Sequence, residues 1–306
     1  MINRTEGPTQ EGGGMADQTR EHTGGLAGVT DEDARAVEQV AGLLRGAAPL
    51  GVAFSGGVDS SVLLALAARA LGPDSVLAVL GVSPSLAADE RTAAHRVAGY
   101  IGVRVVEVTT HEGERPAYIA NGPDRCFHCK DELFTRISDE VAAAHGLAAV
   151  AYGENADDVA RPDRPGSRAA AAHRVLKPLA DAGLDKAAVR RVARALGLPS
   201  ADKPAAPCLA SRIPHFTEVT PGRLSQIERA EQALRGLGFT DCRVRHHGDT
   251  ARIELPVPEI ARAVGEELRE RVLDAVRGAG FRTVTVDLAG IRSGAFTLPL
   301  VARSEA

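Results

Sequence analysis

The sequence predicts a doubly wound, mostly parallel α/β sheet that is followed by a smaller α+β domain. Short apolar runs alternate with amphipathic helical stretches up to about residue 196. This alternation is typical of a parallel sheet covered by helices. A Ser-Gly-Gly turn joins the first apolar run to its helix. Beyond Pro214 the order changes to helix, strand, strand, helix and strand, which indicates a second unit.

The elements follow from the hydrophobic pattern in chain order. Residues 1–30 are polar and Gly-rich without apolar periodicity, so we expect a disordered leader, in which Met15 is a second possible start. A first helix is expected at 31–45, where apolar residues have helical spacing. In the first domain we predict strands at 50–54, 76–82, 104–108 and 148–152, and further helices at 60–71, 87–101, 130–145 and 185–196.

The second domain is predicted from a similar reading of the last ninety residues. A Pro-rich segment at 200–220 is expected to cross between the domains with limited freedom. The two predicted domains therefore comprise residues 31–214 and residues 215–306. The elements expected in the second are a helix at 221–237, strands at 242–246 and 250–255, a helix at 258–278 and a strand at 282–287.

Composition narrows the class of function. The 306 residues carry 36 basic and 40 acidic side chains, a net charge of −4. This balance argues against a nucleic-acid or membrane surface and favours small-molecule chemistry. No apolar segment has the length of a membrane span, and a signal-peptide core is absent from the sequence, so we expect a cytoplasmic protein. Four cysteines do not make a disulfide framework at this size, and their clustering suggests metal binding or catalysis.

The hexapeptide 55–60 is a candidate ATP site. Two glycines allow a tight bend that turns several N–H groups toward one anion, and the following helix adds the positive end of its dipole. A Gly-Lys-Ser/Thr sequence does not follow, which excludes a Walker A loop. An ordinary turn is the alternative. The pattern resembles the PP-loop of N-type ATP pyrophosphatases, which implies cleavage between the α- and β-phosphates and adenylation of an acceptor oxygen. The candidate residues are Ser55, Gly56, Gly57, Val58, Asp59 and Ser60.

Acidic residues beside this loop are candidates for Mg²⁺ chemistry. Asp59 is expected to orient Mg²⁺ or the phosphate-binding turn. Asp157 and Asp158 either assist Mg²⁺ or cap a short helix. Because ligands bind at the carboxyl ends of parallel strands, residues 81–85 are expected to read the adenine edge through backbone groups.

Two cysteines three positions apart, Cys126 and Cys129, start a predicted helix, so both sulfurs can face one metal or cluster. The alternatives are a zinc site, for which His128 could be counted as a ligand, or plain reduced thiols. Cys208 lies in a loop at the far end of the first domain. Cys242 falls in a predicted strand and is expected to be a small core residue.

Several motifs together resemble the LarE family over about residues 31–300: the PP-loop, Tyr-Gly-Glu-Asn-Ala-Asp-Asp at 152–158, Arg-Pro-Gly at 164–166, Pro-Cys-Leu-Ala-Ser-Arg-Ile-Pro at 207–214 and Arg-Val-Arg-His at 243–246. The resemblance implies a sulfur transferase that adenylates each carboxylate of pyridinium-3,5-biscarboxylic acid mononucleotide and replaces it by a thiocarboxylate. The product is a precursor of the nickel-pincer nucleotide. The resemblance also implies a homo-oligomer.

The cysteines decide between two modes of sulfur delivery in the resembled family. Single-cysteine members sacrifice the cysteine that matches Cys208, which ends as dehydroalanine. The additional Cys126 and Cys129 resemble three-cysteine members, which are thought to bind a [4Fe-4S] cluster through three thiolates. Three protein ligands leave one iron open to an external sulfide, so the donor becomes catalytic. The sequence does not identify the source of that sulfide.

Three arginines are candidates for substrate binding. Arg243 and Arg245 alternate along one predicted strand and therefore face the same side, where the resemblance implies that they hold the nucleotide phosphate. A solvated basic strand face is the alternative. Arg212, close to Cys208, is expected to neutralise the carboxylate or the acyl-adenylate.

Two glutamates, Glu231 and Glu254, match positions that lie near a metal site in LarE-like proteins, and the alternative is that both are solvated. His246 and His247 follow the arginines and are interpreted as surface residues rather than general bases. The competing functions are a PP-loop tRNA thiolase, an amide synthetase of the NAD or GMP synthetase type, and a non-catalytic nucleotide-binding regulator. The net negative charge, three Tyr and absence of Trp argue against the first.

Overall fold

A computed structural model describes residues 28–160 and 166–292. Most of the expected leader, both candidate start methionines and residues 164 and 165 of the Arg-Pro-Gly motif lie outside these ranges. Within them, no helix is long and apolar enough to cross a bilayer.

The first sheet contains four parallel strands in the order β3-β2-β1-β4. They are β1 (Leu50–Ala53), β2 (Val76–Val82), β3 (Arg104–Thr109) and β4 (Ala149–Tyr152). The chain runs outward from β1 to β3 and returns to the other side of β1 for β4, so the topological switch point lies between β1 and β4. Ligands of doubly wound sheets bind at the carboxyl ends of the strands at this point. The predicted α/β fold class is confirmed.

Helices cover both faces of this sheet. They are α1 (Asp31–Leu44), α2 (Val58–Leu71), α3 (Ala88–Ile101), α4 (Pro116–Ile119), α5 (Arg125–Arg136), α6 (Ala143–His145), α7 (Ala156–Val159), α8 (Gly166–Ala172), α9 (Pro178–Asp181) and α10 (Lys186–Ala195). Residues of α2 are buried on nearly every side, because α1, α3 and α10 pack around it. On the other face α5 packs against α8. The helix expected at 130–145 begins earlier, at Arg125, and reaches α6 through a π-helical turn, Ile137–Ala142.

The second sheet has the order β5-β6-β7, with β5 and β6 antiparallel and β6 and β7 parallel. Its elements are α11 (Pro221–Gly236), β5 (Arg243–His247), β6 (Thr250–Glu254), α12 (Val257–Val264), α13 (Arg269–Gly278) and β7 (Thr283–Val286). The single helix expected at 258–278 is two helices, since Gly265 is extended (ψ 157°) and ends α12. A separate core, which includes Phe239, Ile253 and Phe281, lies between this sheet and its helices.

Candidate active site

The Ser-Gly-Gly turn lies at the carboxyl end of β1. Gly56 has a φ of +69°, and a Cβ built there would be 2.8 Å from the Ala94 Cα, so only glycine fits. The Ser60 hydroxyl accepts from the Ser55 N–H (3.3 Å) and donates to the Gly57 carbonyl (3.1 Å). Gly57 precedes α2 without a side-chain cap from the described residues, which leaves the first N–H groups of α2 for an anion.

Asp59 lies in the first turn of α2 and faces Asn155, which is part of the 152–158 motif, and Lys186, which the sequence analysis did not single out. Its Oδ1 accepts from Asn155 Nδ2 (3.0 Å), and its Oδ2 accepts from Lys186 Nζ (2.5 Å). Asn155 follows β4 and Lys186 begins α10, so three separate segments meet here. A Cβ at Gly153 would lie 2.6 Å from the Ser60 N, which shows how closely the end of β4 approaches the loop.

The acidic pair after β4 has a different local role from the expected cap. Asn155 caps α7, because its Oδ1 accepts from the Asp158 N–H (3.0 Å). Its Nδ2 also donates to Asp158 Oδ2 (3.0 Å). Asp157 Oδ2 accepts from the backbone N–H of Lys186 (3.0 Å). Neither aspartate is the cap of α7, and both carboxylates help to fix the segment that holds Asp59.

The ends of β2 and β3 anchor the Cys208 loop. The Ser83 hydroxyl donates to Glu112 Oε1 (2.5 Å), and the Ser85 hydroxyl bonds to the Tyr118 hydroxyl (2.6 Å). Burial raises the pKa of Tyr118. The N–H of Leu209, the residue after Cys208, donates to the Ser85 carbonyl (2.9 Å). The segment expected to read adenine therefore also connects the cysteine loop to the edge of the sheet that carries the PP-loop.

The structure brings Cys126, Cys129 and Cys208 into one region. All three are free thiols, Cys126 and Cys208 exposed and Cys129 half-buried. Cys129 packs on the apolar cluster that contains Leu209, the neighbour of Cys208. Burial raises the pKa of Cys129 well above its usual value, and the charges of Glu112, Cys208 and Cys126 act in the same direction.

A single metal ion does not explain this arrangement. Among residues 28–160 and 166–292, no three His, Cys, Asp or Glu side chains are placed to hold one ion. Structural zinc requires such a set. His128, considered as a fourth ligand, instead bonds through Nε2 to Asp124 Oδ2 (3.1 Å). Cys242 is buried in the core of the second sheet as expected, where burial raises its pKa to about 12.

Arg212 donates hydrogen bonds to α11 and to the Cys208 loop. Its Nε and Nη2 donate to the two carboxylate oxygens of Glu231 (2.9 and 3.0 Å). Its Nη1 donates to the carbonyls of Pro207 (2.5 Å) and Cys208 (3.2 Å). The guanidinium is 4% exposed. These bonds fix the Cys208 loop on α11, and the expectation that Arg212 neutralises a substrate carboxylate stays a prediction.

The two glutamates are buried, so the alternative that they are solvated is wrong. Glu231 is 2% exposed, and its Oε1 accepts a further bond from the Val244 N–H (2.9 Å). Glu254 is 0% exposed and accepts from Arg245 (2.7 Å) and Arg252 (3.1 Å). Both carboxylates form ion pairs with buried or half-buried arginines, and the divalent-metal interpretation stays a prediction.

The arginines of β5 also face the interior and not solvent. Arg243 donates to the Ala205 carbonyl (2.7 Å) and pairs with Asp241. Arg245 donates to the Ser211 carbonyl (2.9 Å) and to Glu254. Both bind the segment around Cys208, so the solvated strand face is wrong. The expected surface position is also wrong for His246, which is buried, and right for His247, which is exposed.

The parallel sheet, the glycine turn at its switch point and the acidic residues around it define a PP-loop ATP pyrophosphatase. The sequence model of the asparagine synthase family matches residues 34–159 of the chain, which include the turn and β4.

Similar proteins from other organisms show to which family this chain belongs. The pyridinium-3,5-bisthiocarboxylic acid mononucleotide synthase of Lactiplantibacillus plantarum is 38% identical over 245 residues, 79% of this chain and 87% of the relative. An uncharacterized protein of Synechocystis is 41% identical over 243 residues, 79% of this chain and 90% of that protein. An uncharacterized protein of Methanocaldococcus jannaschii is 29% identical over 175 residues, 57% and 67% of the two chains. The chain belongs to the LarE family and is an ATP-dependent sulfurtransferase.

Proposed function

We propose that this enzyme converts pyridinium-3,5-biscarboxylic acid mononucleotide to the bisthiocarboxylic acid mononucleotide, with ATP as the activating reagent. The similarity to the Lactiplantibacillus plantarum synthase gives the substrate class. One structural observation carries the mechanism: the Leu209 N–H donates to the carbonyl of Ser85, which follows β2. Cys208, the residue before Leu209, therefore lies at the same edge of the sheet as the PP-loop, which follows β1. An acyl-adenylate formed at this edge is within the region that supplies sulfur.

In the proposed first step, a carboxylate oxygen of the substrate attacks the α-phosphorus of ATP, and pyrophosphate leaves. The glycine turn and the first N–H groups of α2 bind the leaving phosphates. Mg²⁺ would travel with the phosphates and neutralise their charge. Asp59 is held by Lys186 and Asn155, so it positions the loop without having to reorganise during the reaction.

In the proposed second step, a sulfur nucleophile attacks the acyl carbon and AMP leaves. Three free thiols from two segments fit the ligand set of a [4Fe-4S] cluster, held by Cys126, Cys129 and Cys208. Such a cluster would supply an open iron for an external sulfide. Without it, Cys208 is the sacrificial donor. Arg212, Arg243 and Arg245 are positioning residues that hold the Cys208 loop in either case.

The test uses anaerobically purified protein, ATP, Mg²⁺, the biscarboxylic mononucleotide and sulfide. We expect AMP and pyrophosphate to appear together with a product in which sulfur has replaced carboxylate oxygen, measured by mass spectrometry. Iron above the level of the Cys126→Ala variant, with repeated turnovers, supports the cluster. A Cys208 mass loss of one sulfur after one turnover supports sacrifice instead.

The competing functions are tested with the same assay. Pyrophosphate release that requires transfer RNA or ammonia, and not the pyridinium nucleotide, would overturn the proposed substrate. We also propose a cytoplasmic homo-oligomer. Light scattering during gel filtration measures its mass, and a monomer would contradict this part of the proposal.

A further inference from the structure

A cavity of about 220 Å³ opens at the amino-terminal edge of the first sheet, opposite the edge that carries the PP-loop. Residues at the beginnings of β1 and β2 form part of its wall. Because β2 is seven residues long, about 20 Å separate this cavity from the carboxyl ends of the strands. The cavity is therefore separate from the atoms that react in the proposed mechanism.

Two basic side chains line this cavity and contact each other. Arg104, the first residue of β3, donates from Nη2 to His145 Nδ1 (3.3 Å). Since a guanidinium can only donate, Nδ1 is the acceptor, and the hydrogen of the neutral imidazole lies on Nε2. The guanidinium keeps further N–H groups for a ligand, and the imidazole contributes one more. Both side chains therefore offer donors to an anion.

The charges around Arg104 leave room for that anion. No aspartate or glutamate of residues 28–160 and 166–292 lies at ion-pair distance from its guanidinium. Asp74 also lines the cavity, but it is exposed, so water and salt screen its charge. The carbonyls of Ala98 and Gly99, at the end of α3, accept from the Gly102 N–H (3.0 and 3.2 Å). These acceptors are thus occupied within the helix end and oppose an anion only weakly.

Apolar side chains form another part of the wall. Pro49, Pro73 and Leu147 all line the cavity, and the two prolines are exposed. Their rings present no hydrogen-bond donor, so they suit an apolar group of the ligand. A cavity of about 150 Å³ is already large enough for benzene. The larger volume here has space for a ring that carries one anionic group.

We propose that this cavity binds a small aromatic carboxylic acid. The carboxylate accepts from Arg104 and His145, because a guanidinium fork matches the two oxygens of a carboxylate. The ring lies against Pro49, Pro73 and Leu147. This binding site is independent of the proposed substrate and of the mode of sulfur delivery.

The first experiment titrates the full chain with benzoate and follows the amide chemical shifts by NMR. We expect a Kd of about 1 mM, with the shifts grouped at residues 50–51, 74–77, 102–104 and 145–147. Benzamide has the same ring but no charge, and we expect it to bind about tenfold more weakly. Shifts grouped at the PP-loop, residues 55–60, would overturn the proposal. So would equal affinities for benzoate and benzamide.

The second experiment repeats the benzoate titration with two variants. Arg104→Gln removes the charge at an exposed position, so the fold should be retained, and we expect an affinity about tenfold lower than that of wild type. The matched control is Arg96→Gln, which removes an exposed arginine of α3 outside the cavity wall and should bind benzoate as wild type does. Equal affinities of the two variants would refute the assigned role of Arg104 and with it the site.

Discussion

At the scale of single residues, Asp59 links the PP-loop to α7 and α10. Replacing Asp59 by Asn removes the negative charge that Lys186 Nζ approaches to 2.5 Å. We expect pyrophosphate release to fall about tenfold or more, since misplacement of the loop costs at least about 1.4 kcal/mol in the transition state. A coupled assay for pyrophosphate at saturating ATP measures the rate of release. Asp74→Asn, exposed before the amino end of β2, is the control, and equal rates in the two variants would contradict the role.

The Arg212–Glu231 pair gives a second prediction at this scale. Glu231→Gln leaves a guanidinium that is 4% exposed without its counter-charge. The free energy of unfolding should fall by about 3–5 kcal/mol, as is typical when one partner of a buried ion pair is removed. Urea denaturation measures the change. Glu266→Gln, an exposed control, should stay within about 0.5 kcal/mol of wild type. A similarly small effect at Glu231 would show that the pair is dispensable.

At the scale of elements, Asp33 joins α1 to α10. Its oxygens accept from Arg191 Nε (2.7 Å) and Nη2 (2.9 Å), and this guanidinium, with the Thr30 backbone N–H, lowers the pKa of Asp33 to about 2 from 3.8. The stabilisation is therefore full above pH 3.8 and is lost as the pH falls toward about 2.

Asp33→Asn should accordingly destabilise the protein by about 2 kcal/mol at neutral pH. The difference from wild type should shrink as the pH falls from 3.8 toward 2. Urea titrations across this range measure both values. A difference that is constant with pH would mean that the carboxylate charge is not the cause.

The close approach of β4 to α2 is another property of elements. A Cβ at Gly153 would lie 2.6 Å from the Ser60 N and 2.7 Å from the Asp59 carbonyl carbon. Gly153→Ala should move the loop, weaken ATP binding and lower the thermal midpoint. The matched control is Gly99→Ala in α3, where a Cβ meets no atom within 4 Å. That change should leave ATP affinity unaltered and raise stability by about 0.5–1 kcal/mol. Equal ATP affinities, measured by calorimetry, would refute the packing argument.

At the scale of the whole molecule, Asn121 connects the first sheet's layer of helices to the segment that leads to α11. Its Nδ2 donates to the carbonyls of Pro214 (2.8 Å), Thr217 (2.9 Å) and Ile213 (3.3 Å), and it is fully buried. The residue has a φ of +56°. One side chain therefore fixes the path of the chain between the two sheets.

Asn121→Gly keeps the positive φ and removes the amide, so it isolates the hydrogen bonds. We expect a loss of about 2–4 kcal/mol in unfolding free energy, because buried carbonyls lose their donor. Asn121→Ala should be less stable still, since alanine disfavours this conformation. Unfolding in guanidinium chloride, followed by circular dichroism, measures the unfolding free energy of both variants. Glycine and alanine variants of equal stability would show that backbone conformation does not contribute.

Local patterns determined much of this protein. The strand, glycine turn and helix around Ser55 are contiguous, so residue spacing was sufficient to predict the loop and its position at a sheet edge. The strands of the first sheet followed from apolar runs for the same reason. The break at Gly265 was missed because a helical pattern continues on both sides of it. The motif at 207–214 gave the family, which the relatives support.

Tertiary structure decided the partners of the charged residues. Arg212 lies 19 positions from Glu231, and Lys186 lies 127 positions from Asp59. Residue type alone did not give these partners, and packing buries Arg212 against Glu231 and Arg245 against Glu254. The physical reason is desolvation: a charge buried in the fold requires an opposite charge close by, and only the folded chain determines which one is available.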